Sequence, residues 1–180
     1  IVFLPAKYSE DQIFTDFKND ILLNWDVIEN STPFKENIEL FNVWMLTRID
    51  ENRLNCTQGC LEKTYGKGYR DYWCCDADGA RDLATECSER DTVVVLINDP
   101  TWSGYNLHGG CYTGNDLIVM TREDPNQYQR ISTLRHELGH TFGLADEYNY
   151  PGKENETSPA RFACYPNCDN ETTCPKWSSY

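Results

Sequence analysis

Basic residues are scarce in this chain of 180 residues: 16 Lys and Arg stand against 29 Asp and Glu, a net charge of -13. Such a chain lacks the cationic surface that phosphate backbones demand, which argues against a nucleic-acid partner. Long apolar runs are missing too. The longest, Val93–Ile97, falls far short of the roughly 20 residues a spanning helix needs, so no membrane span is expected. Leu, Ile, Val and Phe together number 37, about a fifth of the chain, which with this charge lies near the border of disorder. The 23 aromatic residues offset that shortage, because each can bury roughly 150–250 Å². The length allows about one domain.

Cysteine, by contrast, is abundant. Nine cysteines cluster as Cys56, Cys60, Cys74, Cys75 and as Cys164, Cys168, Cys174, with Cys87 and Cys111 apart. A reducing cytosol rarely tolerates so many, so disulfides and secretion are expected. Four sequons, at Asn30, Asn55, Asn155 and Asn170, agree with a glycoprotein. The spacing assigns no pairing, and the odd count leaves at least one thiol free, paired to another chain, or paired to a residue outside this sequence. Ile1 opens on a strand already under way, as in a processed or excised piece.

Along the chain, Ile1–Leu4 reads as a strand. Ser9-Glu-Asp-Gln12 is a capping box, opening a helix whose inward positions are Ile13, Phe14, Phe17, Ile21, Leu22, Trp25 and Ile28. Leu40–Ile49 suits a second strand. Residues 51–75 have no clear periodicity and read as a Cys-rich stapled insertion outside the core. Asp76–Ser88 has helical spacing, and Thr92–Asn98 fits a strand buried on both faces, hence central. Asn98–Asn115 reads as loop, Leu117–Thr121 as a short strand, and about Pro125 to Phe142 as a helix entered through Asp124-Pro125. The expected fold is α/β (α+β), a twisted mixed sheet with two long helices. In that reading residues 1–148 make up the body of one domain, and 149–180 a disulfide-tied irregular tail of the same domain.

Histidine is rarer still, with three in the chain, and two of them stand in His136-Glu-Leu-Gly-His140. From this composition the pattern H-E-x-x-H is expected by chance about 0.004 times. In a helix, residues four apart sit about 6 Å along the axis and about 40° around it, so both imidazoles can reach one ion. Nitrogen donors suit zinc. Glu137 lies about 100° further round, facing a water on the open side of the ion, where it would act as general base. Gly143 ends the helix and reverses the chain, which would deliver Asp146 as a third ligand and leave a fourth, catalytic position for water. Amide hydrolysis at one zinc ion follows from that arrangement.

The segment HELGHTFGLADEY resembles the metzincin-like zinc peptidases, and among them the IgA-peptidase-type family, in which aspartate replaces the third histidine. The resemblance extends through VVVLINDPTWSGYNLHGG (Val93–Gly110), LIVMT before the helix and CPKW (Cys174–Trp177). It implies a secreted zinc metalloendopeptidase with His136, His140 and Asp146 on the metal and Glu137 as acid/base. It also implies that Leu117–Thr121 lines the cleft and pairs with a substrate in extended form. The methionine-containing turn of metzincins has no counterpart here, since the methionines are Met45 and Met120; the piece stops before that turn or the floor of the site is built differently.

Rival roles are weaker. His108 would be the one alternative imidazole, but it sits in a loop before the edge strand. Glu147 competes with Asp146, and Glu154, Glu156 and Glu171 lie in Pro- and Cys-rich sequence rather than in a helix. The cysteines of residues 56–75 fit disulfides better than a second zinc site. Cys111 as a latency thiolate and Tyr148 or Tyr150 as oxyanion donors are subordinate to half-cystine and packing roles. Nothing assigns a calcium site. A second function class, an adhesion module that keeps a peptidase scaffold, has no need of Glu137.

Overall fold

The computed structural model describes residues 1–60, 62, 72–100, 104–106, 116–122, 133–142 and 144. Its centre is a five-stranded sheet. Strand β1 (Val2–Ala6) lies between β2 (Trp44–Met45) and β5 (Val93–Ile97); β5 is followed by β7 (Leu117–Thr121) and then by β6 (Gly104–Asn106). All pairs are parallel except β6 on β7. A second, two-stranded antiparallel sheet joins β3 (Thr57–Gln58) to β4 (Trp73–Cys74).

Strands β1, β5 and β7 are buried along their whole length, as expected of parallel strands covered on both faces. Alternation sorts their side chains. Phe3, Val94, Leu96, Ile118 and Met120 face a core filled by Ile13, Phe17, Ile21, Trp25, Ile28, Leu134 and Leu138. Val2, Leu4, Val93, Val95, Ile97, Leu117 and Val119 face the other, filled by Leu54, Cys56, Ala80, Leu83 and Ala84. The first core carries α1 (Lys18–Glu29); the second carries α2 (Glu51–Leu54) and α3 (Ala77–Ala84).

The capping region opens as expected, with the Ser9 N–H donating to Gln12 Oε1 at 2.9 Å. It leads into a 3₁₀ turn and then a π turn at Ile13–Phe17 before α1 begins. The π turn is wider than an α turn and rotates each residue by less than the usual 100° or so. Ile13 therefore comes onto the buried stripe of α1, while Phe14 leaves it and is 67% exposed. Leu22 is also outside the stripe, at 54%. These two are corrections to the expected inward face. The Tyr8 hydroxyl donates to Asp20 Oδ2 at 2.8 Å, tying the end of β1 to α1, and burial raises the pKa of both groups.

Leu40–Ile49 is a second correction: only Trp44–Met45 forms a strand, after a 3₁₀ segment at Lys35–Leu40. The Cys-rich insertion is a third. It is ordered by Asp50, which caps α2 by accepting from Arg53 N at 3.1 Å, and by disulfides Cys56–Cys75 and Cys60–Cys74. Closing loops of this size is worth about 3 kcal/mol in a chain-entropy account. Leu54 and Cys56 are buried, so the first part of the insertion belongs to the core. Gly104–Asn106, expected as loop, is the fourth correction.

Helix α3 starts at Asp76, whose Oδ1 accepts from Asp78 N and Gly79 N at 3.0 Å each. It packs on α2 so closely that a Cβ on Gly79 would collide with the Arg53 carbonyl oxygen. Gly79→Ala should therefore destabilise the protein by about 1–3 kcal/mol, read as a lower urea midpoint with an unchanged slope. Arg81 Nε and Nη2 hold both Asp116 oxygens at 2.8–3.1 Å, tying α3 to the start of β7. These hydrogen bonds lower the Asp116 pKa. A carboxyl lowered on folding stabilises above its unfolded pKa and loses that contribution as pH falls through the folded one. Because Asp116 is partly exposed, Asp116→Asn should cost only about 0.2–1 kcal/mol at pH 7. In equilibrium unfolding the difference should vanish below the Asp116 pKa.

Candidate metal centre

Helix α4 (Thr133–Thr141) lies on the first core, beside α1, β7 and β6. Its rotation is set by Leu134 and Leu138, both fully inserted. With one stripe of the helix committed to the core, His136 and His140 share another, one turn apart. Their Nε2 atoms are 3.2 Å apart, with ring planes at 82°. Tetrahedral zinc with Zn–N distances of roughly 2.0–2.1 Å needs nitrogen donors about 3.3 Å apart. The two imidazoles fit that requirement. One donor atom from each of His136, Glu137 and His140 falls within 4.8 Å of the others. His136 is exposed to solvent, whereas Glu137 and His140 are buried, at 6% and 4%.

The orientation of His140 comes from the end of the helix. Leu144 N donates to Gly139 O at 3.0 Å, a bond spanning five residues that closes the helix by reversing the chain. The sequence supplies glycine at 143, next to that reversal. The turn brings the Leu144 carbonyl onto His140 Nδ1 at 2.7 Å. A carbonyl only accepts, so Nδ1 carries the proton and the Nε2 lone pair points toward His136. The Leu144 carbonyl is the functional group that motif reading missed. Its signal was its position four residues after His140, beyond Gly143.

The structure thus brings together His136, Glu137 and His140 of the expected site. Asp146 lies outside the described residues, as do His108, Cys111, Glu147, Tyr148, Tyr150, the later glutamates and residues 149–180; the expected start of α4 at Pro125 does too. The edge position expected of Leu117–Thr121 is overturned: β7 is flanked by β5 and β6, and among the described strands β6 is the outer one, beside α4.

A parallel-cored sheet carrying a helical H-E-x-x-H cluster is the arrangement of a metal-dependent hydrolase. A family model, IgA Peptidase M64, matches residues 6–180. The chain belongs to this peptidase family, a metallopeptidase family, and its substrate is accordingly protein or peptide. No curated protein matches the chain. Among the described residues no helix is long and apolar enough to cross a membrane.

His140→Ala should lower the affinity for added Co2+ or Zn2+ by at least about 100-fold, since it removes a donor and not merely its support. Equilibrium dialysis showing wild-type affinity would remove His140 from the metal shell.

Proposed function

We propose that the chain is a secreted zinc-dependent endopeptidase in which His136, His140 and Asp146 hold one catalytic ion and Glu137 is the general base. The observation that carries this reading is the pair of Nε2 atoms 3.2 Å apart, one of them directed by Leu144 O, beside buried Glu137. Zinc at this position would polarise the scissile carbonyl and acidify water. Glu137 takes a proton from the attacking water and returns it to the leaving amine.

The outer strand β6, beside α4, offers main-chain groups for an extended peptide, replacing β7 in that role. Such pairing holds a substrate with little side-chain choice. The family and the mixed sheet support a metzincin-like catalytic domain over 1–148, with 149–180 as its disulfide-tied tail. Secretion is supported by the disulfides Cys56–Cys75 and Cys60–Cys74, which persist in oxidising compartments.

Glu137→Ala should reduce peptide cleavage by at least about 10²–10⁴-fold, the usual worth of a positioned acid/base, while bound zinc stays stoichiometric. Hydrolysis retained by the pure variant would defeat the mechanism and favour an adhesion scaffold. Asp146→Ala should lose zinc on dialysis; an unchanged metal content would refute that ligand. Wild-type cleavage should stop with a chelator and return with zinc.

A further inference from the structure

Two sequons fall among the described residues, Asn30-Ser31-Thr32 and Asn55-Cys56-Thr57, and the fold presents them differently. At Asn30 the acceptor amide is engaged: Nδ2 donates to Asp26 O at 2.8 Å and to Asp26 Oδ1 at 3.2 Å. The hydroxyl two residues on is engaged as well, with Thr32 Oγ1 donating to Glu36 Oε1 at 2.9 Å. A sugar on Asn30 would take away one of the N–H groups that make those bonds.

Asn55 stands otherwise. It ends α2 in the left-handed conformation, φ 38°, with its backbone N–H on Glu51 O at 2.8 Å. Asparagine tolerates that conformation better than most residues. Leu54 and Cys56 on either side are buried, Cys56 being fixed to Cys75. With Leu54 and Cys56 turned inward, Asn55 and Thr57 are both exposed. The amide and the hydroxyl of the sequon thus face solvent, and neither side chain has a hydrogen bond among the described residues.

We infer that Asn55 is an N-glycosylation site and the preferred one of these two. The ligand class is an oligosaccharide donated from a lipid pyrophosphate. Asn55 Nδ2 forms a bond to the anomeric carbon and gives up one proton; the anomeric C–O bond breaks, and the lipid pyrophosphate leaves with the electron pair. This rests on the secretion reading, because that donor is met on a secretory route. The glycan leaves the metal centre open: Leu54 and Cys56 pack on the face of the sheet opposite Leu134 and Leu138. It would cover the stapled insertion instead.

The test is passage of the full chain through the secretory route of a eukaryotic cell, followed by peptide mapping with disulfides assigned. Enzymatic deglycosylation in heavy-oxygen water converts a glycan-bearing Asn to labelled Asp. The expected result is label at position 55 in most molecules that carry Cys56–Cys75, at several-fold higher occupancy than at position 30. Thr57→Ala should abolish the label at 55 while keeping the disulfide and peptide cleavage. An unmodified Asn55 in secreted molecules with Cys56–Cys75 formed overturns the proposal, as does higher occupancy at 30. Retained chains with free thiols at Cys56 and Cys75 overturn the secretion reading, and this site with it.

Discussion

The site depends on the rotation of α4 about its own axis. Leu134 and Leu138 enter the core beneath Phe3, Leu96 and Ile118, and their burial, about 1.5–3 kcal/mol for each leucine, commits one stripe of the helix. The other stripes are then assigned by geometry. A rotation of one residue, about 100°, would take both leucines off the core and turn both imidazoles away from their shared direction. Hydrophobic burial of two side chains that touch no metal thus aims the two that can.

Aim along the helix is not enough, because an imidazole can offer either nitrogen. The choice at His140 is made by a backbone carbonyl delivered by the chain reversal after α4. That reversal has two consequences: it ends the helix, and it fixes which nitrogen of His140 faces His136. Membership in the IgA peptidase M64 family agrees with a motif whose spacing includes glycine beyond the second histidine. The support is main-chain, so side chains near Leu144 are constrained by the path of the turn rather than by the hydrogen bond itself.

Around this helix the sheet supplies rigidity. Its parallel strands are sealed on both faces, one by α1 and α4 and the other by α2, α3 and the disulfide staple. The staple lies on the face of the sheet opposite α4. Through Leu54 and Cys56 it closes the face behind β1, β5 and β7, and the Arg81–Asp116 pair ties that layer to the start of β7. The acidic surface and the scarcity of aliphatics are compatible with folding because the few apolar runs coincide with the three central strands.

How much could be read without coordinates varied with the range of the forces involved. Val93–Ile97 was legible as the central strand because an unbroken β-branched run is a local signature of burial on two faces. The histidine pair was legible because helical spacing alone brings i and i+4 together. Phe14 was misread because the π turn that displaces it leaves no periodic trace. Gly104–Asn106 was misread because three residues are too few to show alternation, and with them went the identity of the outer strand. Local pattern determined which residues are buried and which donors share a helix face. Tertiary structure decided which strand stands at the edge, which cysteines pair, and which nitrogen of His140 is presented. Those outcomes depend on neighbours distant in sequence or on the path of the chain after a helix, and neither is encoded in the periodicity of a single segment.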